Sequence, residues 1–133
     1  FLDWGEGLNK QAGAQAILIY ALKQGAVMAE WLGVSERAAV LWDAAGRAAR
    51  AALDCLWDEE RGFFVSGAQR QVSWASQVWF ALAKVLAPED NARLLERLLE
   101  QKPGIPLVTP YAYHHLVEAL VENGLSDPAV SAM

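Results

Sequence analysis

The helical segments of this chain alternate in kind, and the links between them alternate in length. Few architectures satisfy both alternations. A first helix is predicted from about Lys10 to Leu32, with Gly33 as its C-terminal stop. Ala14, Ile17, Leu18, Ala21, Leu22, Val27, Met28 and Trp31 cover most of its circumference, which is the pattern of a buried helix. The second, from Ser35 to about Trp57, carries a polar stripe (Glu36, Asp43, Arg47, Arg50, Asp54) opposite an apolar one (Leu41, Ala45, Ala48, Ala52, Cys55). Ser73 makes an N-cap for a third helix, Trp74 to Leu86, again apolar all round. The fourth runs from Pro88, a residue suited to a first helical position, to about Gln101, with Leu94, Leu95, Leu98 and Leu99 on one face. The fifth spans about Tyr111 to Asn123 and stops at Gly124. Ser126-Asp127-Pro128 opens one more.

Links from a buried helix to the next half-wet one are short: Gly33-Val34, Ala87-Pro88, Gly124-Leu125. The returns are long, Glu59 to Val72 and Lys102 to Pro110, and the prolines in the second exclude continuous helix. The expectation is an all-α fold of antiparallel helical hairpins, with an inner layer wrapped by an outer one. One face is tight, and the other carries the long loops.

At 133 residues, 54% hydrophobic and 20% charged, the chain is one domain or part of a larger one, and it is able to bury a core. Its formal net charge is −5 and its eleven Lys and Arg residues are scattered singly, so neither nucleic acid nor an anionic membrane surface is an expected partner. No apolar run approaches the roughly 18 residues of a membrane span, and no signal peptide opens the chain, so a cytoplasmic location is expected. The lone Cys55 excludes an internal disulfide. No cofactor-binding loop or nucleophile elbow occurs, and no cofactor is expected. The chain starts at Phe1 rather than Met and stops within the helix opened at Ser126, so truncation at both ends is expected.

Long loops on one face of a rigid scaffold are where function is sought. The stretch from Trp57 to Gln77 contains the longest, with Gly62 and Gly67 bracketing an extended Phe63-Phe64-Val65-Ser66, read as a surface excursion with exposed aromatics. Trp57 and Phe63 are expected to pin this loop to the body. The long-loop face, at the N-terminal ends of the inner helices, collects Asp3, Trp4, Glu6, Trp74, Gln77, Tyr111, Tyr113 and His114 as candidate substrate-binding residues. Asp3 and Glu6 read either as a carboxylate pair or as acids favouring a helix N-terminus. Trp4 and Trp74 stand where a sugar could stack, whereas Trp31, Trp42 and Trp79 lie within helices and read as core. His114 and His115 are adjacent on a helix and diverge by about 100°, so they are not expected to share an ion. One lines the cleft and the other packs.

Several of these segments resemble the catalytic domain of bacterial α-L-rhamnosidases. They are Phe1-Leu2-Asp3-Trp4; Trp57-Asp58 with Gly62-Phe63; the Ser73 to Gln77 helix start; Tyr111-Ala112-Tyr113-His114-His115 followed by Glu118-Ala119-Leu120; and Gly124-Leu125. The resemblance covers almost the whole chain in order. It implies a six-hairpin (α/α)6 toroid, of which residues 1–133 would be about half, and acid/base hydrolysis of a terminal sugar with inversion. The family's general-acid and general-base motifs have no counterpart here, so no catalytic residue is expected within the chain, and the piece alone is expected to be inactive. Half a ring would leave apolar faces of the first helix (Ile17, Leu18, Val27, Met28) and of the fifth (Leu116, Val117, Leu120) open, so a homodimer is expected. The alternative is a non-enzymatic helical repeat that binds protein. Against it stand the unequal loops and the lack of self-similarity.

Overall fold

A computed structural model describes residues 2–133. Phe1, the first residue of the Phe1-Leu2-Asp3-Trp4 segment, lies outside the described residues. Among them the elements run α1 (Gln11–Trp31), α2 (Ser35–Leu56), β1 (Trp57–Asp58), β2 (Phe63–Phe64), α3 (Trp74–Leu82), α4 (Pro88–Gln101), α5 (Pro110–Glu122) and α6 (Ser126–Ala132). The fold is all-α, built of helical hairpins, and its one small sheet is the antiparallel β1–β2 pair. α1 packs on α3 and α3 on α5, while α2 lies along α1, α4 along α3 and α6 along α5. The two alternations thus become two layers, inner α1, α3, α5 and outer α2, α4, α6.

Local chemistry fixes the ends. Gly33 sits at φ 72°, where an L side chain would be strained, and its amide closes the last turn of α1 onto Glu30. Ser73 Oγ accepts from the Ser76 amide to start α3, and Thr109 does the same for Ala112 at the head of α5. Pro88 and Pro110 occupy first-turn positions.

The third helix ends at Leu82, not Leu86. Lys84 turns left-handed, and side chains from two neighbours take the freed carbonyls. Lys23 of α1 donates to the Ala83 and Lys84 carbonyls (2.7 and 3.0 Å), and Asn91 of α4 donates to Ala81 (2.8 Å). Burial and the neighbouring Lys84 charge lower the pKa of Lys23. Apolar Val85-Leu86 extends the pattern but not the helix, because Ala87 before Pro88 is extended.

The core gathers around α3, whose residues 75–82 are all buried, with Phe63, Phe64, Ile19, Leu94, Leu98, Leu116 and Leu120 around it. Phe64 stacks on Phe80 at 3.7 Å between ring centroids. The first helix is not buried all round: Leu18 and Met28 face solvent and Ile17 and Val27 are half-buried. Two tryptophans read as core are not core, since Trp31 is 84% exposed and Trp42 40%, whereas Trp79 is buried. Trp31 is the last residue of α1, and Trp42 uses its indole N–H on Glu30 at the surface. On α5, Leu116 and Leu120 are already covered by the core, so the open edge expected there is instead Tyr113, His114 and Val121.

Candidate functional site

The long loop from Glu59 to Val72 is a clamp rather than an open excursion. Phe63, Phe64, Val65 and Ser66 are all buried, because β2 pairs with β1 and the loop then folds onto the head of α1. Trp57 meets Phe64 edge to face at 4.9 Å, so the expected pinning holds, but the phenylalanines are unavailable to a ligand. Ser66 Oγ accepts from the Ala12 amide (3.0 Å), Gln11 accepts from the Gly67 amide (2.7 Å), and Gln71 bridges the Asn9 amide and the Gly7 carbonyl. Of the free N–H groups at the start of α1, that of Ala12 is thereby satisfied by the loop, and that of Gln11 by Asn9 Oδ1 (3.0 Å).

A second strap places the heads of α3 and α5 side by side. Trp74 N donates to Ile105 O (2.9 Å) and Ile105 N to Val72 O (3.0 Å), a parallel bridge. Gly104, at φ 63°, permits it, since a β-carbon there would collide with the Val72 carbonyl. Asp3 supplies the third strap. It is buried and accepts from the Val108 amide (2.9 Å), from the Thr109 amide and hydroxyl (3.1 and 2.9 Å) and from the Trp4 amide (2.8 Å). Its carboxylate is spent on the scaffold, while Trp4 beside it is 74% exposed.

Of the candidate residues, Trp74 and Tyr113 share a cleft of about 340 Å³ with Leu99, Leu116 and Pro128. Tyr113 and His114 share another, about 580 Å³, with Val108, Pro110 and Val117. Tyr113 therefore stands on the divide between two mainly apolar hollows. Tyr111, two positions before Tyr113, is exposed and meets the His115 ring at 4.6 Å, and Glu6 is exposed on the loop that carries Trp4. Gln77 does not reach this surface. It is fully buried, with its amide oxygen accepting from Phe64 N (2.8 Å) and its NH2 donating to the carbonyls of Phe64 and Ser73 (2.9 and 3.0 Å).

The two histidines stand beside a third residue that carries a ligand atom. The rings of His114 and His115 lie 5.2 Å apart, and Glu118, not singled out from the sequence, brings all three sets of ligand atoms within 4.8 Å of one another. Glu118 accepts a 3.1 Å contact from His115 Nδ1. The divergence of two adjacent residues is real. A third residue, Glu118, falls between them on the helix surface.

A rhamnosidase from Klebsiella oxytoca, solved with rhamnose bound, superposes on 98% of this chain with a TM-score of 0.93 and 44% sequence identity. The chain is rhamnosidase-like. It spans 25% of the length of that rhamnosidase. No protein-family model matches the chain, and no curated protein sequence matches it. The rhamnosidase-like match does not favour the reading as a protein-binding helical repeat. No helix among the described residues of this rhamnosidase-like chain is long and apolar enough to cross a membrane.

Proposed function

We propose that the chain is part of the catalytic domain of an α-L-rhamnosidase-like glycoside hydrolase, of bacterial and cytoplasmic type and acting in carbohydrate metabolism. In this reading residues 1–133 are about half of an (α/α)6 toroid, and the long-loop face is one wall of a sugar site. The observation that carries it is the 44% identical superposition on a rhamnosidase with rhamnose bound. Trp4 and Trp74 supply flat apolar platforms for the sugar ring. Tyr111, Tyr113 and His114 supply hydroxyl and imidazole groups for its oxygens, and Glu6 a peripheral carboxylate. Asp3 and Gln77 act from beneath, holding Trp4 and the head of α3 in place. In this reading the general acid and general base of the hydrolysis come from outside these residues, and Asp3, saturated by scaffold hydrogen bonds, is neither of them.

Exchanging the matching quarter of the Klebsiella rhamnosidase for this chain tests the reading. A folded chimera should hydrolyse an aryl rhamnoside and lose most of that activity on Trp4→Ala. A soluble, folded chimera with no turnover would overturn it. In the same reading the separate chain pairs as a homodimer through its open inner helices.

A further inference from the structure

The middle of α5 brings together three metal-ligating side chains that a sugar site does not require as a group. On the helix surface His114 and His115 stand about 100° apart, and Glu118 falls about 40° past His114, inside that arc and one turn on. Helical side chains lean toward the N-terminus, so Glu118 leans back over the two rings. His115 is the fixed member, wedged between Trp79 (4.5 Å) and Tyr111 (4.6 Å between ring centroids). Its Nε2 is buried without a hydrogen-bond partner, which leaves Nδ1 as the nitrogen presented to the cluster. His114 is exposed at the edge of the larger cleft.

We propose that His114, His115 and Glu118 form a binding site for a transition-metal dication, with Zn²⁺ as the best fit. The proposal does not rest on the reading as a sugar hydrolase, although it shares His114 with the sugar-facing residues of that reading. Two imidazole nitrogens and one carboxylate oxygen suit Zn²⁺, whereas Mg²⁺ and Ca²⁺ demand oxygen ligands. With bonds of about 2.0–2.2 Å, tetrahedral ligand atoms lie about 3.3 Å apart. The present separations, within 4.8 Å, leave at most about 1.5 Å to close. Three protein ligands leave a fourth position for water or a ligand oxygen, on the solvent side where His114 borders the cleft.

Calorimetric titration of the metal-free chain decides the matter, with Cys55→Ser in every sample to remove the competing thiol. One Zn²⁺ should bind per chain with micromolar affinity, and Mg²⁺ should give no binding heat. Glu118→Gln, which keeps its shape, and His114→Ala, at an exposed position, should each weaken zinc by at least about tenfold, the lower end of what even outer-shell changes cost. Circular dichroism checks that both variants fold, and His114→Ala alone suffices if Glu118→Gln does not. No zinc binding, or equal binding in wild type and folded variants, would overturn the site.

Discussion

Asp3 and Thr109, 106 positions apart, are joined twice through one carboxylate oxygen: Asp3 Oδ1 accepts from the Thr109 hydroxyl at 2.9 Å and from its amide at 3.1 Å. The same Thr109 hydroxyl accepts from Ala112 N, so one chain of bonds runs from the Trp4 loop into the first turn of α5. The acid most suggestive of catalysis is the buckle that closes the long-loop face.

Removing that buckle should be costly. Asp3→Ala leaves the buried donors of Thr109 and the part-buried amide of Val108 without their charged acceptor, a loss of about 3 kcal/mol by the usual scale for such bonds. Thr109→Val keeps the amide bond and should cost about half as much. Urea denaturation followed by circular dichroism measures both, and a loss under about 1 kcal/mol for Asp3→Ala would contradict the role given to it.

Gln77→Leu is the second test, because it fills the same space without polar atoms. Phe64 N–H and the Phe64 carbonyl would then be buried and unpaired, while the Ser73 carbonyl keeps the Gln77 backbone amide (3.3 Å), at a cost of about 2–3 kcal/mol. A stability unchanged from wild type would show that Gln77 is not the strut that ties β2 to α3.

The two-layer hairpin arrangement was legible because it rests on helix period and loop length, which are local in sequence. The fourth helix, bounded by Pro88 and ending at Gln101, needed nothing else. The C-terminal end of α3 was not legible, because Lys23 and Asn91 decide it from two other helices. The burial of Asp3 and Gln77 was hidden for the same reason: a polar residue near a helix N-terminus reads alike whether it faces solvent or a partner's amide. Exposure of Trp31 is not legible because a helix that is apolar all round looks buried whether or not every side has a neighbour, and that of Trp42 because an aromatic within a half-wet helix reads as core whichever face it takes. Glu118 could have been found, since its offsets of four and three from His114 and His115 are the helical ligand spacings.

Asp58 gives a pH signature. It accepts from the Arg61 amide (3.1 Å) and pairs with Arg70 (2.9 Å), and these, the backbone bond first, lower its pKa from the ordinary 3.8. A carboxyl lowered in the folded state stabilises it above the unfolded value, and this is lost as pH falls through the folded value. Asp58→Asn should therefore be less stable than wild type near neutral pH, and the gap should shrink below about pH 3.8. A gap that stays constant down to about pH 2 would refute the linkage.

Catalysis supplies a fourth test. With Asp3 spent on the scaffold, the separate chain should show no turnover of an aryl rhamnoside. Turnover abolished by Glu6→Gln would mean that the Asp3 and Glu6 carboxyls do act as a pair.

The last prediction concerns self-association. On α1 the solvent-facing residues Ala14, Leu18, Ala21, Met28 and Trp31 follow one another at helical intervals, and none is charged. Such an apolar helix seam, with Leu32 continuing it past the helix end, is unusual on a lone soluble domain. Burying about 1,000 Å² of apolar surface is worth on the order of 25 kcal/mol gross, from which ordering and association subtract heavily. Two copies of α1 meeting seam to seam would cover the same residues on both, as a two-fold pair requires. On α5 the deeper leucines are already covered, so that helix offers less. Light scattering at micromolar concentration should give twice the 14.5 kDa chain mass, and Leu18→Glu, which alters only the seam, should return the value to a single chain. A wild-type monomer would rule the pairing out.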